Sequence, residues 1–224
     1  MILFHETSRL CDGVSISDKI EEFESIKSEG DMSVEEADKF WENVFSEPDK
    51  ITEIDITSEI YGRDESDFSF DFDIERFQSL FEKFEYEQWD FFSVEQKQEV
   101  VKELVCEIAD ALDIENVPEI RFYESESYDC GAFIPKENII KLNMNIFDDS
   151  YEVLNTVAHE TRHAFQFERA MKLETYVDLL YACNFDNYIA PIITDDGCIN
   201  FNEYQDQLVE AEARAFANLF TEGR

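Results

Sequence analysis

Residues 159–163 carry two histidines and a glutamate at a spacing suited to binding a metal ion and activating water. The segment is H-E-T-R-H, an instance of the pattern H-E-x-x-H. On a helix, side chains four residues apart differ by about 40° around the axis, so His159 and His163 leave one face and can hold one ion. Glu160 lies to one side of them, where it can accept a proton from water instead of binding the metal. The spacing predicts a zinc site and metal-assisted hydrolysis.

The scarcity of histidine makes this pattern specific. The chain has 3 histidines, and two of them fall at this spacing. They lie on a segment that Asp149 is expected to cap as a helix, directly after a predicted hairpin. A chance pair of helix histidines, or a purely structural metal, is the competing interpretation. We expect the metal site to be catalytic.

The third ligand should be a carboxylate or a thiolate, because no histidine follows His163. Glu210 and Glu212 lie on the predicted last helix about 200° apart, so only one of them can reach the ion. Ala213 and Ala217 give Glu210 a flank of small residues that would let two helices approach closely. These residues favour Glu210, with Glu212 as the alternative.

Three further features could contribute to the site. Tyr188 and Tyr204 flank the glutamate helix and are candidates to stabilise an oxyanion. Cys130 is an outside candidate for a metal ligand, although a thiol in such a position is more often a packing residue. The segment 139–144 precedes the histidine helix, and we expect it to be the strand edge on which an extended substrate pairs.

The segments VAHETRHAFQ and VEAEARAFAN together resemble gluzincin-type minimal metallopeptidases of the ImmA/IrrE kind, and related peptidase domains of bacterial and phage toxins and effectors. The resemblance covers about residues 93–224. In that family H-E-x-x-H supplies two zinc ligands, and the first Glu of an E-x-[ED]-A-x-x-F-A helix supplies the third. The resemblance therefore implies His159, His163 and Glu210 as ligands and Glu160 as the catalytic residue.

The chain departs from the family at one position that matters for the ligands. Many gluzincins have an aspartate four residues after the ligand glutamate, where it orients a histidine, and this chain has Arg214 there. The resemblance implies that Glu212 or another residue takes over this role.

The predicted fold is α+β: mainly helical, with a small antiparallel sheet beside the H-E-x-x-H helix, in the manner of zincins. Capping residues open helices at 93–96 and at Asp149. Apolar periodicity and turn residues then place the helices at 93–112, 150–169 and 202–220 and the strands at 119–123, 131–134 and 139–144. The last two strands should form a hairpin, and 172–200 is predicted to be irregular.

Residues 1–90 form an acidic, Phe-rich region with no catalytic motif. Helices are predicted over 33–45 and from 73 to 89. Because no flexible linker separates this region from the peptidase domain predicted at 91–224, we expect it to pack on that domain and support its fold. The alternative is that it lies across the cleft and holds the peptidase inactive.

Charge excludes several classes of protein. The formal net charge is −36, with 54 acidic residues spread over the whole chain. Such a surface repels phosphate backbones and anionic membranes, so nucleic acid binding through a basic surface and membrane binding are not expected. The 5 cysteines form no C-x-x-C pair, and neither a secretory signal nor a long apolar run is visible. We expect a cytoplasmic protein, with signal-independent export left open.

The sequence thus predicts a zinc-dependent endopeptidase that acts on a protein or peptide substrate. Glu160 would accept a proton from water whose pKa the zinc ion lowers, and would return it to the leaving amine. The alternative is a non-catalytic acidic interaction protein, a nucleic-acid mimic or partner-binding module that keeps a structural metal. The oligomeric state and the identity of the substrate are left open.

Overall fold

The structure is a computed structural model, and it describes residues 57–126, 129–193 and 199–222. The helix predicted over 33–45 lies outside these residues. The helices, in chain order, are α1 Thr57–Ile60, α2 Gln78–Phe84, α3 Tyr86–Trp89, α4 Val94–Ala111, α5 Ser150–Lys172, α6 Tyr176–Asp186, α7 Asn202–Gln205 and α8 Leu208–Thr221. Short 3-10 helices occupy Glu65–Asp67, Ile74–Phe77 and Met144–Ile146.

The strands lie where the sequence predicts them, but the sheet is mixed and not antiparallel. The strands are β1 Glu119–Tyr123, β2 Gly131–Ile134 and β3 Ile139–Asn143, in the order β1-β3-β2. β2 and β3 form the expected antiparallel hairpin, whereas β1 pairs with β3 in parallel. A separate two-stranded sheet joins β4 Ile192–Ile193 to β5 Ile199–Asn200.

The central position of β3 corrects the prediction that 139–144 offers an edge to the substrate. Ile139, Ile140 and Leu142 are all buried. Burial on this scale favours a strand with neighbours on both sides, so β3 takes the centre and both of its edges are paired. The two edge strands of the sheet are β1 and β2, and β2 is the one that forms the hairpin with β3.

Helix α5 is the central element of the fold and packs against α8, α6, α4 and the sheet. It begins as predicted at Asp149, whose carboxylate accepts hydrogen bonds from the backbone N–H groups of Tyr151 and Glu152. It runs to Lys172, three residues further than predicted, and ends at Leu173 in the left-handed conformation (φ 52°).

The prediction of an irregular segment over 172–200 is wrong, because α6 forms there. Thr175 and Asp178 make a capping box at its start. Asp178 is 2% exposed and also binds the Arg169 guanidinium with both oxygens, at 2.8 Å each. The helix is apolar on several faces and packs against both α5 and α8, so it lacks the amphipathic period by which a surface helix is identified.

The predicted last helix is interrupted where the chain reaches the core. α7 ends at Gln205 and α8 begins at Leu208, with Gln207 fully buried between them in an extended conformation.

Aromatic side chains from residues 70–89 share one hydrophobic core with α4, α5 and α8. The ring of Phe72 lies 4.9 Å from that of Phe216, and the ring of Phe77 lies 5.2 Å from that of Phe220. Within residues 57–90, these Phe side chains are therefore part of the core that holds α8 in place.

Replacing Phe216 by alanine should lower the free energy of unfolding by about 3–5 kcal/mol, because its side chain is 0% exposed and the cavity cannot fill with water. Phe91, which is 88% exposed, is the matched control, and its alanine variant should change stability by no more than about 0.5 kcal/mol. Urea denaturation of both variants measures the difference. Equal losses would contradict this packing.

No helix within the described ranges combines the length and the apolar character needed to cross a membrane.

Candidate metal centre

Three side chains from two helices, α5 and α8, converge on one another. His159 and His163 leave α5 one turn apart, and Glu210 faces them from the first turn of α8. The two Nε2 atoms are 3.0 Å apart. Glu210 Oε2 lies 3.3 Å from His159 Nε2, and Glu210 Oε1 lies 3.4 Å from His163 Nε2. These residues form a largely buried group that could hold a metal ion.

The spacing of these atoms fits a small divalent cation. Two ligands that each bind a tetrahedral ion at about 2.0–2.1 Å are separated by about 3.3 Å, close to the three distances observed. Glu210 is 1% exposed, and its Oε2 atom is buried without a hydrogen bond donor. A buried carboxylate oxygen that lacks a donor and faces two imidazoles is satisfied by a cation.

The electrostatics of the group also favour positive charge. Burial lowers the pKa of His163, but the Glu210 and Glu160 carboxylates outweigh it and raise this pKa to about 9. Burial likewise raises the pKa of Glu210, and the two imidazoles reverse that effect and hold the pKa well below its ordinary range. The carboxylate is therefore ionised and available as a ligand.

Glu160 lies beside the metal group but is not a member of it. It is 8% exposed, and its Oε2 atom accepts a 2.7 Å hydrogen bond from the backbone N–H of Phe133 on β2. β2 approaches α5 closely at Gly131, where an added Cβ would lie 2.8 Å from Thr156 Cγ2 and 3.4 Å from Glu160 Cγ. The glycine allows the strand to come near enough for its backbone to fix the Glu160 carboxylate.

Tyr188 and Tyr204 both face Glu210. The Tyr188 hydroxyl donates a 2.6 Å hydrogen bond to Glu210 Oε1, and the two tyrosine rings pack edge to face at 6.1 Å. Burial and the Glu210 carboxylate raise the pKa of both phenols. Both hydroxyls therefore stay protonated at neutral pH and can act as donors.

One buried side chain, that of Gln207, joins the two segments that carry these tyrosines. Its Nε2 donates to the carbonyl oxygens of Ile189 and Tyr204, at 2.8 and 3.0 Å. Its Oε1 accepts from Asn184 Nδ2 and from the Ile189 N–H, at 3.0 and 3.2 Å. With all four hydrogen bonds made, the amide fixes the backbone next to Tyr188 and at Tyr204 relative to α8.

Glu212 points away from the metal group, because it serves an interhelical network. Its carboxylate forms a buried ion pair with Arg162 and accepts a 2.8 Å hydrogen bond from the Tyr181 hydroxyl. The Arg162 guanidinium stacks on the Phe165 ring at 4.3 Å. Arg214, at the position where many gluzincins have aspartate, pairs with Glu65 instead.

Gln166 connects this network to the metal group. Its Nε2 donates to Glu212 Oε2 at 2.9 Å and to the Val209 carbonyl oxygen at 3.0 Å. Both amide protons are thereby used, so Oε1 faces His163 Nδ1 at 2.9 Å and must accept a proton from it. In the neutral imidazole that would bind a metal, this places the proton on Nδ1 and leaves Nε2 unprotonated and directed at the metal group. The orienting role is thus divided between Gln166 and Glu212.

Cys130 is not part of the metal group. Its Sγ lies 3.3 Å from Glu152 Oε1, and burial together with that carboxylate raises the pKa of the thiol to about 11. A protonated thiol is a poor metal ligand.

Gln166 and Gln207 are the two site residues that the sequence interpretation missed. Gln166 lies three residues after His163, on the same helix face, and this spacing is a usable signal for a side chain that contacts the histidine. For Gln207 no local signal exists, because its partners are distant backbone groups.

Replacing Gln166 by leucine, which has a similar size, should weaken metal affinity about 10–100-fold while the three ligands remain. Without the amide, His163 loses the acceptor that fixes its tautomer. Competition with a chromogenic chelator measures the affinity, and Gln88→Leu at an exposed position is the control. Unchanged affinity in a folded Gln166→Leu protein would show that Gln166 does not orient the ligand.

Comparison of the chain with models of known protein families, with curated proteins and with solved structures finds no match. The function is therefore inferred from the geometry of the site.

Proposed function

We propose that the protein is a zinc-dependent endopeptidase. The observation that carries the proposal is the convergence of His159, His163 and Glu210, with Glu160 held beside them but outside the group. A carboxylate that lies next to a cation site without binding to it is available for proton transfer. The proposed metal is zinc, since two imidazoles and one carboxylate are a common set of protein ligands for catalytic zinc.

The number of ligands favours a catalytic site over a structural one. Structural zinc sites are closed by four protein ligands, whereas catalytic sites use three and leave one position open. Within the described residues the group contains three candidate ligands. This distinguishes the proposal from its alternative, an acidic interaction protein that keeps a metal for stability.

A zinc ion bound there supplies a Lewis acid that acidifies water and polarises a carbonyl group. The Glu160 carboxylate accepts the proton of the attacking water and then donates it to the leaving amine. Its hydrogen bond from the Phe133 N–H fixes the carboxylate and leaves the second oxygen for the proton. Tyr188 and Tyr204, whose raised pKa values keep them protonated, are the proposed donors to the oxygen on which negative charge develops, and Tyr188 would release its hydrogen bond to Glu210 Oε1 to serve there.

The substrate is proposed to lie along β2 as an extended chain. The Phe133 N–H points away from β3 towards Glu160, so the outer edge of β2 borders the metal group. A peptide added at this edge would bring its carbonyl groups past Glu160. The substrate would still pair with a strand edge, as expected from the sequence, but the strand is β2 instead of β3.

Removal of the metal tests the proposal. We expect a chelator to abolish cleavage of denatured proteins and one equivalent of zinc per chain to restore it, because the described ligands form a single group. New peptide termini, identified by mass spectrometry, are the readout. Cleavage that persists in metal-free protein would contradict a metal-dependent mechanism, and stoichiometric zinc without any cleavage would favour the structural alternative.

A further inference from the structure

The segments that surround the metal group contain no lysine or arginine. These are 122–135, 142–161 and 173–213, which together hold 16 aspartates and glutamates. Each segment runs from one basic residue of the chain to the next: from Arg121 to Lys136, from Lys141 to Arg162 and from Lys172 to Arg214.

Described parts of these three segments contribute residues to the site, and we call these parts, 122–126, 129–135, 142–161, 173–193 and 199–213, its walls. Segment 122–135 contains β2, which contacts Glu160. Segment 142–161 contains the first half of α5 with His159, and 173–213 contains both tyrosines and Glu210. Many of the acidic side chains are exposed to solvent: Glu124, Glu126, Asp129, Asp148, Asp149, Glu152, Glu203 and Asp206.

Five of the six basic residues that border these segments are paired or directed away from the core. Arg121, Lys172 and Arg214 form ion pairs with carboxylates outside the segments. Arg162 is 7% exposed and paired with Glu212 inside the protein. Lys141 on β3 alternates with the core residues Ile140 and Leu142, so its side chain leaves the face of the sheet opposite to the core. The sixth, Lys136, is exposed in the turn after β2. A Zn²⁺ ion held at the metal group would be balanced by the Glu210 and Glu160 carboxylates, so the exposed acidic side chains of the walls add net negative charge around the site.

A row of partly exposed aromatic rings borders the same site. The ring of Tyr204 lies 6.1 Å from that of Tyr188 and 6.1 Å from that of Phe201. Tyr188 and Phe201 are 41% and 40% exposed. Aromatic faces beside carboxylates attract Lys and Arg side chains, which pack their aliphatic part on the ring and place their charge among the acids.

We infer that the site selects cationic polypeptide segments, with Lys or Arg side chains close to the scissile bond, and disfavours acidic ones. The inference rests on the proposed peptidase function, because it names the substrate class of that same site. The acidic walls attract such a segment before it docks, and the Tyr188–Tyr204–Phe201 row holds its basic side chain after docking.

Binding to the zinc-loaded Glu160→Gln protein tests the inference without relying on turnover. Two fluorescent peptides are compared by anisotropy, identical except that lysine in one stands where glutamate stands in the other. We expect the lysine peptide to bind at least about tenfold tighter at low ionic strength. The ratio should shrink when salt is raised to about 0.2 M, because added ions screen the walls. Equal affinities, or tighter binding of the glutamate peptide, would overturn the inference.

Reversing the charge of one acidic residue at a time tests whether the preference for the lysine peptide comes from the walls of the site. Glu203→Lys, exposed beside Tyr204, should weaken binding of the lysine peptide about threefold to fivefold. Glu82→Lys on α2 changes the net charge by the same amount, at an exposed position on a helix that packs against α4, and should leave the affinity unchanged. Equal effects of the two variants would mean that net charge, and not the walls of the site, governs binding.

Cleavage by the wild-type zinc protein gives an independent readout, with Glu160→Gln as the blank. Cleavage sites in a denatured protein mixture should be enriched in Lys and Arg near the broken bond. Sites without any charge preference would overturn the inference and leave the proposed function intact. Absence of cleavage above the blank would instead contradict the proposed function, and the peptide affinities would still decide the charge preference.

Discussion

The Glu210→Gln variant should retain no stoichiometric metal, while the wild-type protein purified without chelator carries about one zinc ion per chain. Glu210 is the ligand supplied by α8, and it is the anionic member of the group, with its two oxygens 3.3 and 3.4 Å from the two imidazole nitrogens. A neutral amide oxygen is a much weaker zinc ligand than a carboxylate. Elemental analysis by mass spectrometry measures the metal content directly.

Glu212→Gln is the matched control, since it makes the same chemical change two residues away on the same helix. Its carboxylate binds Arg162 and Tyr181 and does not face the imidazoles. We expect this variant to keep its metal but to lose stability, because the buried Arg162 guanidinium is left without its counter-charge. If the two variants exchanged these phenotypes, Glu212 would be the ligand and the arrangement of α8 would be wrong.

The second large effect is expected at Glu160. Glu160→Gln should lower the rate of peptide hydrolysis about 10²- to 10⁴-fold, because the amide cannot accept the proton of the attacking water. Metal content should be unchanged, since Glu160 is outside the group of ligand atoms. The readouts are the number of new peptide termini per unit time and the zinc content of the same sample.

Glu152→Gln is a suitable control for this variant, because Glu152 lies on the same helix two turns earlier, at an exposed position beside Cys130. It should retain the wild-type rate within about twofold, as expected for a charge that only contributes to the surrounding field. Hydrolysis that survives in Glu160→Gln at the wild-type rate would rule out Glu160 as the proton acceptor.

Several elements of the site could be predicted from the sequence because they depend on residues close together in the chain. The i, i+4 spacing of His159 and His163 places both imidazoles on one face of any helix that contains them. The Asp149 cap predicts where that helix begins, and the alternation and turn residues predict the β2–β3 hairpin. Each of these features results from local backbone geometry, and each lies where the sequence places it.

The tertiary structure alone decided how these elements are combined. α6 escaped prediction because it is buried on several faces, and the parallel pairing of β1 with β3 follows from which strand the core covers. Sequence spacing favoured Glu210 over Glu212, but only the packing of α8 on α5 shows which carboxylate meets the imidazoles. Gln166 and Gln207 act through backbone and side-chain groups of other segments. The residues that can do chemistry, and the helix that presents two of them, can be read from the amino-acid sequence, since helical periodicity is a local property. Packing between distant parts of the chain determines the remaining features: the third ligand, the residues that orient the ligands, and the strand that lies beside them. Such contacts cannot be read from local sequence spacing.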